Sequence, residues 1–185
     1  MRIKKALGTY QDIVIRFLAV LGGGLIVASQ SKAARPEFFL YAGQFIYEYM
    51  EPVYFRKEDI LLSTLEEYGF PPDEGPVGKM RHGRQKSREL LRMLLEAARS
   101  WKAGDQDGRT DTIWATSEYT SLMRQHFDLL KNLIYPLLEQ SITADDEQKL
   151  AARIYPRGTG ETGSLSSARY LKIIESMEEE VSDWR

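Results

Sequence analysis

FIYEYMEPVYFRKEDILLSTLEEYGFPPDEGPV, residues 45–77, reads as an amphipathic helix running into a turn. Apolar residues recur at three- and four-residue spacing in Phe38, Phe45, Ile46 and Tyr49, the period of a helix with one buried face. Tyr54 and Glu58 stand four apart and so share one helical face. Arg35-Pro36-Glu37 marks the start, because proline in the first turn lacks only an N–H that would have no partner there. Gly69 to Gly78, with three prolines and three glycines, marks the turn.

Working outward, the same period appears in Ile13, Phe17, Leu18 and Leu21, a first helix that the glycines at 22 to 24 weaken or end. A third helix is expected from about Lys79 to Trp101, and a fourth from near Thr112 to Gln140 after the polar break 102–111. Thr143-Ala144-Asp145-Asp146 has the form of a capping box, opening a fifth helix from Ala144 to about Ile154. Gly158 to Ser167 reads as a flexible linker. Beyond it Tyr170, Leu171, Ile174, Met177 and Val181 form one stripe of a C-terminal helix. The expected fold is all-α, an up-and-down four-helix bundle over 1–155, with 156–185 as linker and docking helix.

The 185 residues carry 43% hydrophobic content and a formal net charge of −2, enough for one domain with a sizeable core and no case for nucleic acid. There is no cysteine, which excludes disulfides, thiolate nucleophiles and Cys-ligated metal and fits a reducing compartment. MRIKK followed by FLAVLGGGLIVA (17–28) has the outline of a signal peptide. Asp12 and Arg16 interrupt the approach, and the uncharged run is short for a bilayer. The segment is therefore read as a bundle helix of a cytoplasmic protein with no membrane partner.

Several stretches resemble the hemerythrin-like (HHE cation-binding) family. RPEFFLYAGQFI (35–46) is similar to the entry of that family's second helix, LEEYGFPPDEGPV (65–77) to its exit and turn, and LMRQHFDLLKNLIYPLLEQ (122–140) to its fourth helix with Tyr135-Pro136 near the end. TADDEQKLAARI (143–154) continues in the same manner. The resemblance covers about residues 5–180 and implies a di-iron site between the helices, held by imidazoles and two bridging carboxylates.

Most of those ligand places are changed. Tyr10 stands at the first-helix His, Tyr54 at the second-helix His, Arg84 at the third-helix His, and Leu130 at the fourth-helix carboxylate. Glu58 and His126 are kept, and His82 falls two positions before Arg84 on another face. Two nearby cations need bridging carboxylates to neutralise charge and fix their separation, and a leucine does neither.

The resulting expectation is a degenerate site and a non-enzymatic binding or regulatory module without a cofactor. Tyr10, Tyr54 and Leu130 would fill the vacated volume and Arg84 would pair with buried Glu58. One alternative is a single ferric ion on Tyr10, Tyr54, Glu58 and His126 with Arg84 holding an anion. Another is a small-ligand pocket lined by the same residues. His126 with Glu58 could serve acid–base work, but no nucleophile or phosphate loop accompanies them. Glu48 and Glu51 are read as a solvated or helix-contacting face. Tyr41, Tyr47, Tyr49, Trp101 and Trp114 are read as mostly core, or as a protein-partner surface if exposed.

Overall fold

The computed structural model describes residues 2–154 and 163–184. Among them are six helices and no strand. α1 is Arg2–Gln30; α2 runs through three consecutive segments, Pro36–Phe45, Ile46–Phe55 and Arg56–Glu67; α3 is Gly75–Lys102. α4 is likewise continuous through Gln106–Leu129, Leu130–Ile134 and Tyr135–Ser141; α5 is Ala144–Ile154 and α6 is Gly163–Asp183. α3 lies along α4, α2 against α3, and α1 against α4 and α2, while α5 packs on α1 and α2 and α6 on α1 and α2.

Arg35 is extended at φ −120°, ψ 142°, and Pro36 opens α2 with Glu37 in the first turn, where a carboxylate suits the helix dipole. α3 begins at Gly75 and not near Lys79, because Pro76 falls in the first turn where it is tolerated. α4 begins earlier than expected too. Asp105 caps it by accepting from the Asp107 amide at 3.0 Å, and Gly108 sits so close to the backbone of Trp101 that a Cβ would come within 2.4 Å of its nitrogen. Half of the α5 box forms: the Thr143 hydroxyl accepts from the Asp146 amide at 3.2 Å, while the Asp146 carboxylate accepts from the Thr143 hydroxyl at 2.6 Å. Of the expected linker, 163–167 is helical, and its remainder lies outside the described residues.

The glycines at 22–24 do not end α1. They are contact points for three neighbours: a Cβ on Gly22 would meet Arg124 at 3.7 Å, one on Gly23 would meet Val181 at 3.7 Å, and one on Gly24 would fall 2.3 Å from the Phe38 ring. The far end of α1 is held by Arg109, which donates to the Ala28 and Ser31 carbonyls at 2.6 and 2.7 Å, satisfying acceptors that the helix end leaves over. By length and composition Leu7–Gln30 could cross a membrane, a longer stretch than the run 17–28 considered alone. Here its apolar face, including Val14, Phe17 and Leu21, is buried in the core.

Ile46–Phe55 and Leu130–Ile134 are π-helical. Each is tied to a proline: Pro52 lies inside the first, and Pro136 follows the second. Proline has no N–H for the carbonyl four residues back and its ring collides with it, so a wider turn relieves both problems. The Glu48 carbonyl, which an α-helix would offer to residue 52, accepts instead from the Tyr170 hydroxyl at 3.2 Å. This bond fastens α6 to α2, and a bidentate pair from Arg16 to Glu178, at 2.8 and 2.7 Å, fastens α6 to α1.

Candidate functional site: a buried Tyr–Glu–His cluster beside an Arg–Glu pair

The four-residue spacing of Tyr54 and Glu58 brings both into the interior, where α4 supplies His126; their exposures are 1%, 1% and 5%. His126 Nε2 lies 2.8 and 3.0 Å from the two oxygens of Glu58. With Glu58 ionised, Nε2 must carry the hydrogen and donate it, because a carboxylate only accepts. The Tyr54 hydroxyl donates to Glu58 Oε2 at 3.2 Å. Phe55 meets the imidazole edge-on at 5.8 Å between ring centroids, and a Cβ on Gly83 would stand 3.6 Å from Nδ1. The carboxylate is thus anchored from two helices within an aromatic wall.

Burial, then the charge of Glu58, pushes the Tyr54 phenol well above its ordinary 10.0. Burial followed by Glu58 raises Tyr135 as well, and burial followed by Glu51 raises Tyr119. The Tyr135 hydroxyl is buried and makes no hydrogen bond among the described residues. A phenol raised in the folded state contributes stability that is present below its unfolded value and lost as pH climbs through the folded one. Stability is therefore expected to fall above about pH 10. In an absorbance titration of tyrosinate, these three phenols should ionise only together with loss of helix by circular dichroism. Full, reversible ionisation in a still-helical protein would contradict the burial.

Arg84 does not pair with Glu58, as its position had suggested. Its guanidinium makes a bidentate bond to Glu51, both distances 3.0 Å, and lies 3.3 Å from the centroid of the Phe55 ring. Arg84 is 5% exposed, and its Nε has no partner among the described residues. Arg88 adds a second cation to Glu51 at 3.2 Å. Burial by itself raises the Glu51 carboxyl, but Arg84 and then Arg88 hold it below its ordinary value. The expected Arg84–Glu58 pair is therefore absent: Arg84 takes Glu51 as its acid, and Glu58 takes His126. Glu51, read as part of a solvated or helix-contacting face, is helix-contacting, and it stands seven residues before Glu58, about two turns along α2. That spacing was the signal available in the sequence.

The remaining ligand places scatter. Tyr10 is buried with Lys57 Nζ 4.8 Å from its ring centroid, and its carbonyl accepts from the Tyr49 hydroxyl at 3.4 Å. Lys57 itself donates to the Ile154 carbonyl at the end of α5. Leu130 is core, 1% exposed, and His82 is exposed on α3. Tyr41, Tyr47 and Trp114, expected mostly in the core, are 57%, 58% and 50% exposed.

These residues do not fit a pair of irons. Leu130, expected at a bridging place, can neither neutralise charge nor fix a metal separation, and His126 Nε2 and both Glu58 oxygens are turned on one another at 2.8 and 3.0 Å. No group of three or more His, Asp and Glu side chains among the described residues could hold a metal. In comparison with known proteins, the chain matches no family model, no curated protein and no solved structure.

Proposed function

We propose that α1 to α4 form an up-and-down bundle of the hemerythrin-like kind with α5 and α6 appended, and that hydrogen-bonded side chains have taken over the place of its metals. In this reading the protein is a non-enzymatic binding or regulatory module of the cytoplasm. The observation that carries it is the direct bond from His126 Nε2 to both oxygens of Glu58, at 2.8 and 3.0 Å. The two residues that would be kept as ligands satisfy one another. Arg84 on Glu51 pairs the other carboxylate of the region with a guanidinium, so neither acid is left without a side-chain partner. A nucleophile that His126 could activate is lacking in the cluster, whose hydroxyls are phenols raised by burial.

The test is iron. Protein made in iron-supplemented culture should purify colourless, with no stoichiometric metal by elemental analysis. Two irons per chain with a bridging-oxo absorption would overturn the reading. One iron with the visible charge-transfer band of a ferric phenolate would overturn it in favour of a mononuclear site on Tyr54, Glu58 and His126.

A further inference from the structure

A cavity of about 370 Å³ opens between α2 and α6, N-terminal along α2 to the Glu58 cluster. Its walls include Tyr41, Phe45, Tyr170 and Met177, and two carboxylates, Glu48 and Glu180, stand at its edge. We propose that this cavity binds an organic cation, a protonated amine carried on a flat aromatic body.

Charge comes first. Arg169 reaches Glu48 only at 3.4 Å, and Gln44 donates to it at 2.7 Å. Among the described residues no hydrogen bond or ion pair reaches Glu180. Glu48 and Glu180 thus share the lining with a single guanidinium, that of Arg169, which is turned to Glu48. Glu180 is half-buried, and that burial raises its carboxyl despite the opposing field of Arg35, so a cation placed against it relieves an existing cost.

The walls supply the rest. Tyr170 packs on Tyr49 at 4.4 Å between centroids with the rings tilted by 50° and meets Phe45 edge-on at 6.1 Å, and its hydroxyl is tied to the Glu48 carbonyl freed at the π turn. The ring is therefore fixed, and the Arg169 guanidinium already lies 5.9 Å from its centroid, a distance at which aromatic faces attract cations. Tyr41, 57% exposed, gives a second ring open to a ligand from solvent. A volume of this size with apolar walls and few polar groups is typical of small-molecule sites. An anion would meet the unpaired Glu180, and a neutral molecule would leave it unpaired.

Calorimetric titration of the full chain with tryptamine, and with N-acetyltryptamine as a probe of similar shape without charge, tests the proposal. Tryptamine should bind, and N-acetyltryptamine should bind at least about five-fold more weakly, the scale of one partly exposed ion pair. Glu180→Gln, with its helical spectrum unchanged, should weaken tryptamine by a similar factor and leave N-acetyltryptamine as it was. Equal affinity for the two probes, unchanged tryptamine affinity in Glu180→Gln, or no tryptamine binding at millimolar concentration would each overturn it. The iron measurement reports on the Glu58 cluster and this titration on the α2–α6 cavity, so either can fail alone.

Discussion

Glu58→Ala is expected to lower the unfolding free energy by about 3–5 kcal/mol, the cost of removing one partner from a buried pair. His126 would be left in an aromatic wall, 5% exposed, with nothing to accept its Nε2 hydrogen, and the Tyr54 hydroxyl would lose its acceptor as well. The penalty comes from the groups left behind. For that reason Glu58→Leu combined with His126→Leu should recover much of the loss, and Glu58→Gln, whose amide oxygen still accepts, should be the mildest single change. Urea unfolding followed by tryptophan fluorescence reads all three. If Glu58→Ala stays within about 1 kcal/mol of the parent at unchanged slope, the pair does not hold the interior. Arg84→Ala should cost less than Glu58→Ala. Glu51 keeps Arg88 and has 20% of its side chain in water, which screens what remains.

Phe38→Ala should cost a comparable amount, about 3–5 kcal/mol, because a wholly buried ring is replaced by a cavity. Phe38 is 0% exposed, meets Phe39 and Trp184 edge-on at 5.2 and 5.1 Å, and lies directly beneath Gly24. The same contact predicts the reverse change. Gly24→Ala should destabilise by about 1–3 kcal/mol through overpacking, and less in a Phe38→Leu background, where the ring has gone. Thermal unfolding of the two single variants and the double gives the coupling directly. Strictly additive costs would mean that α1 and α2 do not touch there, and that the glycine run serves something other than close approach.

The α5 cap at Thr143, the entry to α2 at Pro36 and the apolar stripe of α6 were legible in the sequence because each depends on neighbours within a turn or two. So was the meeting of Tyr54 with Glu58, a matter of helical spacing. The sequence by itself therefore determined an all-helical chain, the approximate extent of its helices, and a carboxylate and an imidazole in its interior. What lies across from each position was decided only by tertiary structure. The glycines at 22–24 read as a break because their local propensity is poor, and the packing of α1, with Phe38 closely approaching Gly24, outweighs it. Arg84 faces Glu51 and Glu58 faces His126 because the helices sit at particular rotations about their axes. Pro52 contributes by forcing a wide turn into α2 between the two acids. Trp114 and Tyr41 carry core-like spacing yet end 50% and 57% exposed. Periodicity fixes a residue's angle on its own helix, and the neighbour it meets depends on contacts far apart in the chain.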